Sequence, residues 1–291
     1  MPLSPKSFTY KSSDGLQLHG QDWQPETPLD AAPAALCLAG LSRNARDFSD
    51  LATVLCEAGY RVICPDYRGR GRSQWDTNWQ NYSIPIEGED IDAAIALLDL
   101  KRFVVIGTSR GGLHAMAMAT RYSKDQMVGV VLNDIGPEIE IVSLIRIGKS
   151  LGKVMCFKDI NACADQLRTN LEDQFPRLEK DQWLRFAAQL GSSTKDGFAL
   201  DYDPALANTF TDIDESQPWP DLWPLFAALA QIPLLILRGE NSDLLSSATA
   251  QKMQQEHSNA SLWTIADEGH APLLWDSHAQ GKILKFIQSV R

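Results

Sequence analysis

Gly107-Thr108-Ser109-Arg110-Gly111 sets a serine hydroxyl between two glycines. It ends an apolar, β-branched run, Phe103-Val104-Val105-Ile106, and precedes an Ala- and Met-rich run from Gly111 to Arg121. A G-x-S-x-G between a strand and a helix marks a sharp turn that presents its serine as a nucleophile. The flanks must be small because strand and helix backbones approach closely there. A serine hydroxyl is a weak nucleophile at neutral pH. It needs a neutral imidazole to accept its proton and return it to the leaving group. It also needs a carboxylate to hold that imidazole in the useful tautomer, and N–H donors where negative charge develops. Of the five histidines, only His270, in Gly269-His270-Ala271-Pro272, follows an expected strand and a glycine. His19 falls on an expected strand and His114 on the helix after Ser109, as core or boundary residues; His257 and His278 lie in polar helical text and are expected to face solvent.

The elements that must position these groups read as alternating short strands and helices. Strands are expected near Lys6–Lys11, Leu16–Trp23, Ala35–Ala39, Arg61–Cys64, Phe103–Ile106, Val128–Leu132, Ile232–Leu237 and Ser261–Ile265. Helices are expected at Asp47–Ala58, stopped by Gly59, from Glu87 to Leu98, after Ser109, and at Ala279–Val290. Such alternation reads as an α/β fold, with a mainly parallel central sheet covered by helices on both faces. The rhythm breaks between Pro137 and Trp223, where the text is polar and helical. Residues 137–223 are therefore expected to form a helical cap over the sheet's C-terminal edge, where open α/β sheets bind ligands. Residues 1–136 and 224–291 then form the core domain.

With 291 residues, 44% apolar and 22% charged, the chain can build one large core plus an insertion. A net charge of −10 argues against nucleic acid or an anionic membrane as partner. No apolar stretch approaches the roughly 18 residues of a membrane span, and Met1-Pro2-Leu3-Ser4-Pro5-Lys6 has no secretory apolar region. Five irregularly spaced cysteines (Cys37, Cys56, Cys64, Cys156 and Cys163) fit a reduced, cytoplasmic compartment. No C-x-x-C or His/Cys cluster points to a metal, and neither metal nor cofactor is expected.

Four motifs stand in chain order: Ala39-Gly40-Leu41-Ser42; Asp66-Tyr67-Arg68-Gly69-Arg70-Gly71-Arg72-Ser73; the Ser109 turn; and the loops Leu237-Arg238-Gly239-Glu240-Asn241-Ser242-Asp243 and Gly269–Pro272. Together they resemble the α/β-hydrolase fold superfamily with a cap inserted after the sixth strand, over nearly the whole chain. The resemblance implies Ser109 as nucleophile, His270 as base, and the backbone N–H groups of Leu41 and Arg110 as the oxyanion hole. Ala39 stands where the family usually has histidine, which a backbone donor does not require. The Asp66–Ser73 loop is expected to be structural, with Asp66 and Arg68 fixing it. The Arg110 side chain has no expected role. Two residues compete for the acid. Asp243 occupies the commoner family position and is preferred; Asp134, in Asn133-Asp134-Ile135-Gly136-Pro137, is the alternative, and Glu240 stands too early in its loop.

A serine at the elbow is inconsistent with the aspartate-dependent dehalogenases and epoxide hydrolases of this fold. The expectation is a serine esterase acting on a small to medium carboxylic ester through an acyl-enzyme. A lactonase, a C–C bond hydrolase and a non-catalytic receptor are the alternatives. Leu144, Ile145, Phe186, Trp219 and Trp223 of the cap are candidates for an apolar pocket wall, or for packing the cap on the core.

Overall fold

The computed structural model describes residues 4–211 and 220–291. The chain opens with an antiparallel pair, β1 (Lys6–Lys11) and β2 (Gln17–Trp23). Four apolar runs come next as β3 (Ala34–Leu38), β4 (Val62–Asp66), β5 (Phe103–Thr108) and β6 (Met127–Asn133). These four are buried at every position except Thr108, which is half-buried. Successive strand side chains point to opposite faces, so burial throughout requires cover on both faces. That cover comes from α1 (Ser49–Glu57), α2 (Ile84–Leu97) and α3 (Arg110–Met118), with later helices joining them. Gly59 ends the first of these with φ +89°, a left-handed position that suits glycine. α2 starts at Ile84, ahead of the expected Glu87, because Pro85 presets the first turn.

The insertion runs between β6 and the next core strand. It holds α4 (Ile141–Ser150), β7 (Cys156–Phe157), α5 (Ile160–Leu171), α6 (Lys180–Leu190), β8 (Gly191–Thr194) and β9 (Gly197–Leu200). The expected helical cap also holds a small sheet that was not expected: β7, β9 and β8 form three antiparallel strands. Strands this short show too few alternations to be read as period two. The β8–β9 turn is Lys195-Asp196, followed by Gly197 at φ +139°. The core resumes with α7 (Trp223–Ala227), β10 (Leu234–Gly239), α8 (Ser247–Glu256), β11 (Ala260–Ile265) and α9 (Ser277–Ser289). Among the described residues no helix is long and apolar enough to cross a membrane.

The eight-stranded sheet has the order β1-β2-β4-β3-β5-β6-β10-β11. It is parallel except where β2 meets β1 and β4. The register aligns the strand ends. Leu38 lies opposite Gly107, Thr108 opposite Asn133, and Asn133 opposite Leu237. The loops after β3, β5, β6 and β10 therefore leave the sheet side by side, at the C-terminal edge where such sheets bind ligands.

The cap has its own apolar center. Phe175, Trp183, Phe186 and Phe198 pack together and onto Leu273, from the loop after β11. Of the expected pocket residues, Leu144 is buried in the main core. Trp223 packs edge-on against Phe226, with ring centers 5.5 Å apart. Trp219 lies outside the described residues.

Candidate active site

Ser109 sits between β5 and α3 with φ 50° and ψ −113°, a conformation that non-glycine residues adopt only under constraint. Its N–H donates to the Asn133 carbonyl (2.9 Å), and its own carbonyl accepts from Gly112 N–H (2.8 Å). A Cβ on Gly111 would overlap the Leu38 carbonyl oxygen, and one on Gly107 the Gly111 backbone. The glycines are thus demanded by close passage of β3, β5 and α3, and the serine is pushed into the open. Asn133 ties the site across two strands, donating through Nδ2 to Thr108 Oγ1 (3.0 Å) and to the Pro272 carbonyl (2.9 Å).

His270 reaches this serine from the loop after β11. Ser109 Oγ lies 2.9 Å from His270 Nε2, and His270 Nδ1 lies 2.8 Å from Asp134 Oδ2. The loop is held from the cap side, where Gln174 Oε1 accepts the His270 N–H (2.8 Å). Asp134 is fully buried, directly after β6, at φ 58°. Its carboxylate also accepts from Gly239 N–H (2.9 Å) and Ser242 Oγ–H (2.5 Å). With acceptor-only carboxylate oxygens facing Nδ1, the imidazole carries its proton there and turns the bare Nε2 to the serine.

The preference for Asp243 as the histidine's partner is corrected. Asp243 pairs with Arg146 through two contacts, Nε–Oδ2 at 2.9 Å and Nη2–Oδ1 at 3.0 Å, and is exposed enough to sit in solvent. Its loop instead contributes Ser242, whose hydroxyl supports Asp134. The physical reason is that β6 and β10 are neighbors, so loops from both reach the same point. Asp134, at φ 58°, sets its carboxylate on His270, while Asp243 is exposed and held by Arg146. Glu240 also lies apart, accepting from Asp267 N–H (3.2 Å).

The Gly40–Leu41 backbone passes over the serine: a Cβ at Gly40 would lie 3.9 Å from Ser109 Cβ. Arg110 is the first residue of α3, so its N–H has no acceptor within that helix. The helix N-terminus adds positive potential at this point. Leu41 and Ser109 line one cavity, and Arg110 follows Ser109 directly as the first residue of α3.

Beneath them lies a buried charged cluster that the sequence did not suggest. Glu87 and Arg70 are completely buried and pair at 2.6 Å (Oε1–Nη1). Glu87 Oε2 also takes Arg110 Nε at 2.7 Å and His114 Nε2 at 3.0 Å. Arg70 Nε donates to the Leu41 carbonyl (2.8 Å), and Arg110 Nη2 to the Tyr82 carbonyl (3.1 Å). Burial alone would raise the Glu87 carboxyl, but Arg110, Arg70 and His114 hold it well below the usual carboxylate range. Burial also keeps His114 below its ordinary value, despite Glu87 beside it. The Arg110 side chain is therefore part of an internal ion cluster joining the Leu41 loop to the first turn of α3. The only sequence signal was three charges close to glycines, which does not distinguish a buried cluster from a solvated loop.

Asp66 and Arg68 hold their loop together rather than facing the serine. Asp66 accepts the Ala45 N–H (2.8 Å) and pairs with His19 Nδ1 (2.7 Å); Arg68 pairs with Asp90, Asp14 and Asp76. His257 departs from the expectation of solvent exposure. It is buried after α8, with Nε2 2.9 Å from the Leu229 carbonyl and Nδ1 accepting the Asn259 N–H (3.2 Å). A histidine closing a helix can satisfy carbonyls that otherwise need water, and helical polarity in the sequence hides that.

Glu268 precedes the histidine loop and braces it by accepting the Leu273 N–H (2.8 Å). Burial pushes its carboxyl up to about 7. A carboxyl raised in the folded state binds its proton more tightly there than in the unfolded chain. The resulting stabilization is present below the ordinary glutamate range and is lost as pH rises through about 7. Glu268→Gln is expected to remove this dependence, raising the melting temperature relative to wild type at pH 8 but not at pH 5. Identical differences at the two pH values would disprove it.

The cavity in front of Ser109 has a volume of about 610 Å³. Its floor is Ser109, His270 and the Gly40–Leu41 turn, and its walls include Phe48, Leu167 and Phe186. Among the described residues, Phe186 is thus the one expected cap aromatic that meets the cavity.

Comparison with known proteins agrees with this architecture. The chain is 35% identical over 248 residues to the 3-hydroxybutyrate-oligomer hydrolase of Cupriavidus necator, covering 83% of each protein. It is 28% identical over 230 residues to the 2-(acetamidomethylene)succinate hydrolase of Mesorhizobium japonicum, covering 76% of each. Among solved structures, an alpha/beta hydrolase from Novosphingobium aromaticivorans superposes with a TM-score of 0.90 at 38% identity, covering 98% of both chains. The profile of the alpha/beta hydrolase family matches residues 35–282. This chain therefore belongs to the alpha/beta hydrolase family.

Proposed function

We propose that the protein is a serine ester hydrolase that cleaves short oligoesters of a hydroxy acid through an acyl-enzyme. The observation that carries this reading is the continuous relay Ser109 Oγ to His270 Nε2 (2.9 Å) and His270 Nδ1 to Asp134 Oδ2 (2.8 Å), opening on the cavity. Ser109 attacks the ester carbonyl while His270 takes its proton. The tetrahedral oxyanion meets the N–H groups of Leu41 and Arg110, each contributing roughly 2.7–4 kcal/mol if they resemble such donors elsewhere. His270 then protonates the departing alcohol, leaving an acyl-serine. Water, deprotonated by His270, attacks that ester; the acid leaves and the serine regains its proton. Asp134 remains ionized and stabilizes the imidazolium.

The relative whose name specifies 3-hydroxybutyrate oligomers supports the choice of substrate. Such oligomers are chains of ordinary ester bonds with small methyl branches, which suit an apolar cavity of this size. A panel of 3-hydroxybutyrate dimer and trimer, 4-nitrophenyl butyrate, a lactone and a diketone with a scissile C–C bond tests the reading, with Ser109→Ala alongside. Cleavage of the dimer, trimer and chromogenic ester, abolished in Ser109→Ala and blocked by a phosphonate adduct on Ser109, is expected. Turnover of only the lactone or diketone would replace the oligoester by that class. Undiminished activity in Ser109→Ala would remove the serine mechanism.

A further inference from the structure

We infer that the Arg43 guanidinium binds a carboxylate carried by the substrate, making the site selective for anionic esters over neutral esters of the same shape; this rests on the ester-hydrolase reading above. Arg43 stands two residues beyond Leu41 and lines the cavity. A Cβ at Gly40 would lie 3.3 Å from Arg43 Cγ and 3.9 Å from Ser109 Cβ, so the arginine stem begins beside the nucleophile. Its guanidinium lies over the Phe186 ring, 4.6 Å from the ring center, and its side chain is 21% exposed. Stacking on an aromatic face fixes the plane of the fork while leaving its edge free.

The use of its donors separates Arg43 from its neighbors. Arg46 donates to the Gln189 and Gly191 carbonyls and pairs with Asp201. Arg70 donates to two carbonyls and pairs with Glu87, with only its buried Nη2 lacking a partner among the described residues. Both serve as internal ties. Arg43 uses only Nε, on Asp47 Oδ2 (2.7 Å). Its two Nη groups have no acceptor among the described residues, in a wall of the cavity where a planar, bidentate partner could be met. Burial pushes the Asp47 carboxyl above its ordinary range, and its Oδ1 has no hydrogen-bond partner among the described residues. The pair is therefore not a saturated internal salt bridge.

Local charge agrees. The protein as a whole carries −10, yet the cavity is bordered by Arg43, Lys149 and Lys153, and by Arg146 already paired with Asp243, against one lining acid, Asp47. Lys149 and Lys153 are exposed at its edge and form no ion pair among the described residues. A cationic mouth on an anionic protein concentrates anionic ligands at this opening. Once the anion is inside, the stacked guanidinium supplies the fixed contact that flexible lysines do not.

The test compares 3-(butanoyloxy)butanoate with its primary amide, which share the same ester bond and differ in charge. Binding is measured by calorimetry on the Ser109→Ala protein, and turnover by butanoate release from wild type. The free acid is expected to bind at least about tenfold more tightly than the amide, as a charge-assisted bidentate contact implies. The acid-to-amide ratio in kcat/KM should show the same preference. It should fall toward one in Arg43→Gln and in the charge-balanced pair Arg43→Gln with Asp47→Asn, and recover partly in Arg43→Lys. Equal binding of acid and amide, or binding of neither, overturns the site. A preference that survives in both Gln variants assigns it to the lysines and overturns the role of Arg43. Selective binding without turnover keeps the carboxylate site and overturns only the ester-hydrolase reading.

Discussion

Asp134→Asn is expected to lower kcat by about four orders of magnitude, the scale seen when a triad carboxylate becomes an amide elsewhere. An amide that keeps its oxygen on the Gly239 N–H turns its N–H₂ toward His270 Nδ1 and Ser242, because both now bond the other carboxylate oxygen, Oδ2. That orientation puts the imidazole proton on the wrong nitrogen, and the reverse one sets the N–H₂ against the Gly239 N–H. Asparagine tolerates the left-handed backbone at this position, so the loss falls on chemistry rather than on folding. Asp243→Asn breaks one half-exposed ion pair with Arg146. Such pairs contribute about 0–1 kcal/mol, and kcat should change by only a few-fold. Steady-state hydrolysis of 4-nitrophenyl butyrate by the two variants decides the matter. If Asp243→Asn were the inactive one, His270 would need a different partner in the working enzyme.

Glu87→Ala carries the second large effect, on stability. It would leave two guanidiniums facing each other with no anion, one of them fully buried. Removing one partner of a buried ion cluster costs about 3–5 kcal/mol, and for a chain of this size that corresponds to a fall in Tm of about 10 °C. The sign with pH comes from the carboxyl being held below its ordinary range. Its stabilization is present above about pH 4, the unfolded value, and is lost as pH falls further. The wild-type advantage over Glu87→Ala should therefore be largest near neutrality and shrink in acid. Arg70 also holds the Leu41 carbonyl, so the variant should lose kcat more than it gains KM. A Tm change within about 2 °C would mean that the cluster does not support the fold.

What was legible in the sequence was whatever local rules fix. The elbow is written in Gly107 and Gly111, because only residues without a Cβ fit where β3, β5 and α3 meet. The core strands are written in runs too apolar to face water, and His270 in its place after a strand and a glycine. These are constraints between near neighbors in sequence or within one element. The helical text of the insertion concealed its small sheet, because four-residue strands carry almost no periodic signal.

Three features depended on how distant segments pack. The acid was open because β6 and β10, far apart in sequence, are adjacent in the sheet, so either loop could supply it; backbone direction at Asp134 decided. The Glu87 cluster joins residues from three loops and helices, and only burial tells a catalytic support from a solvated charge. Arg43 looks like any loop arginine until its donors are compared with those of Arg46 and Arg70. Residue order alone required that a serine be presented at a sheet edge, since steric exclusion at glycines and burial of apolar runs are local. Which carboxylate faces the histidine was settled by contacts between segments more than a hundred residues apart, and which charges face each other rather than a ligand by burial that no single element fixes.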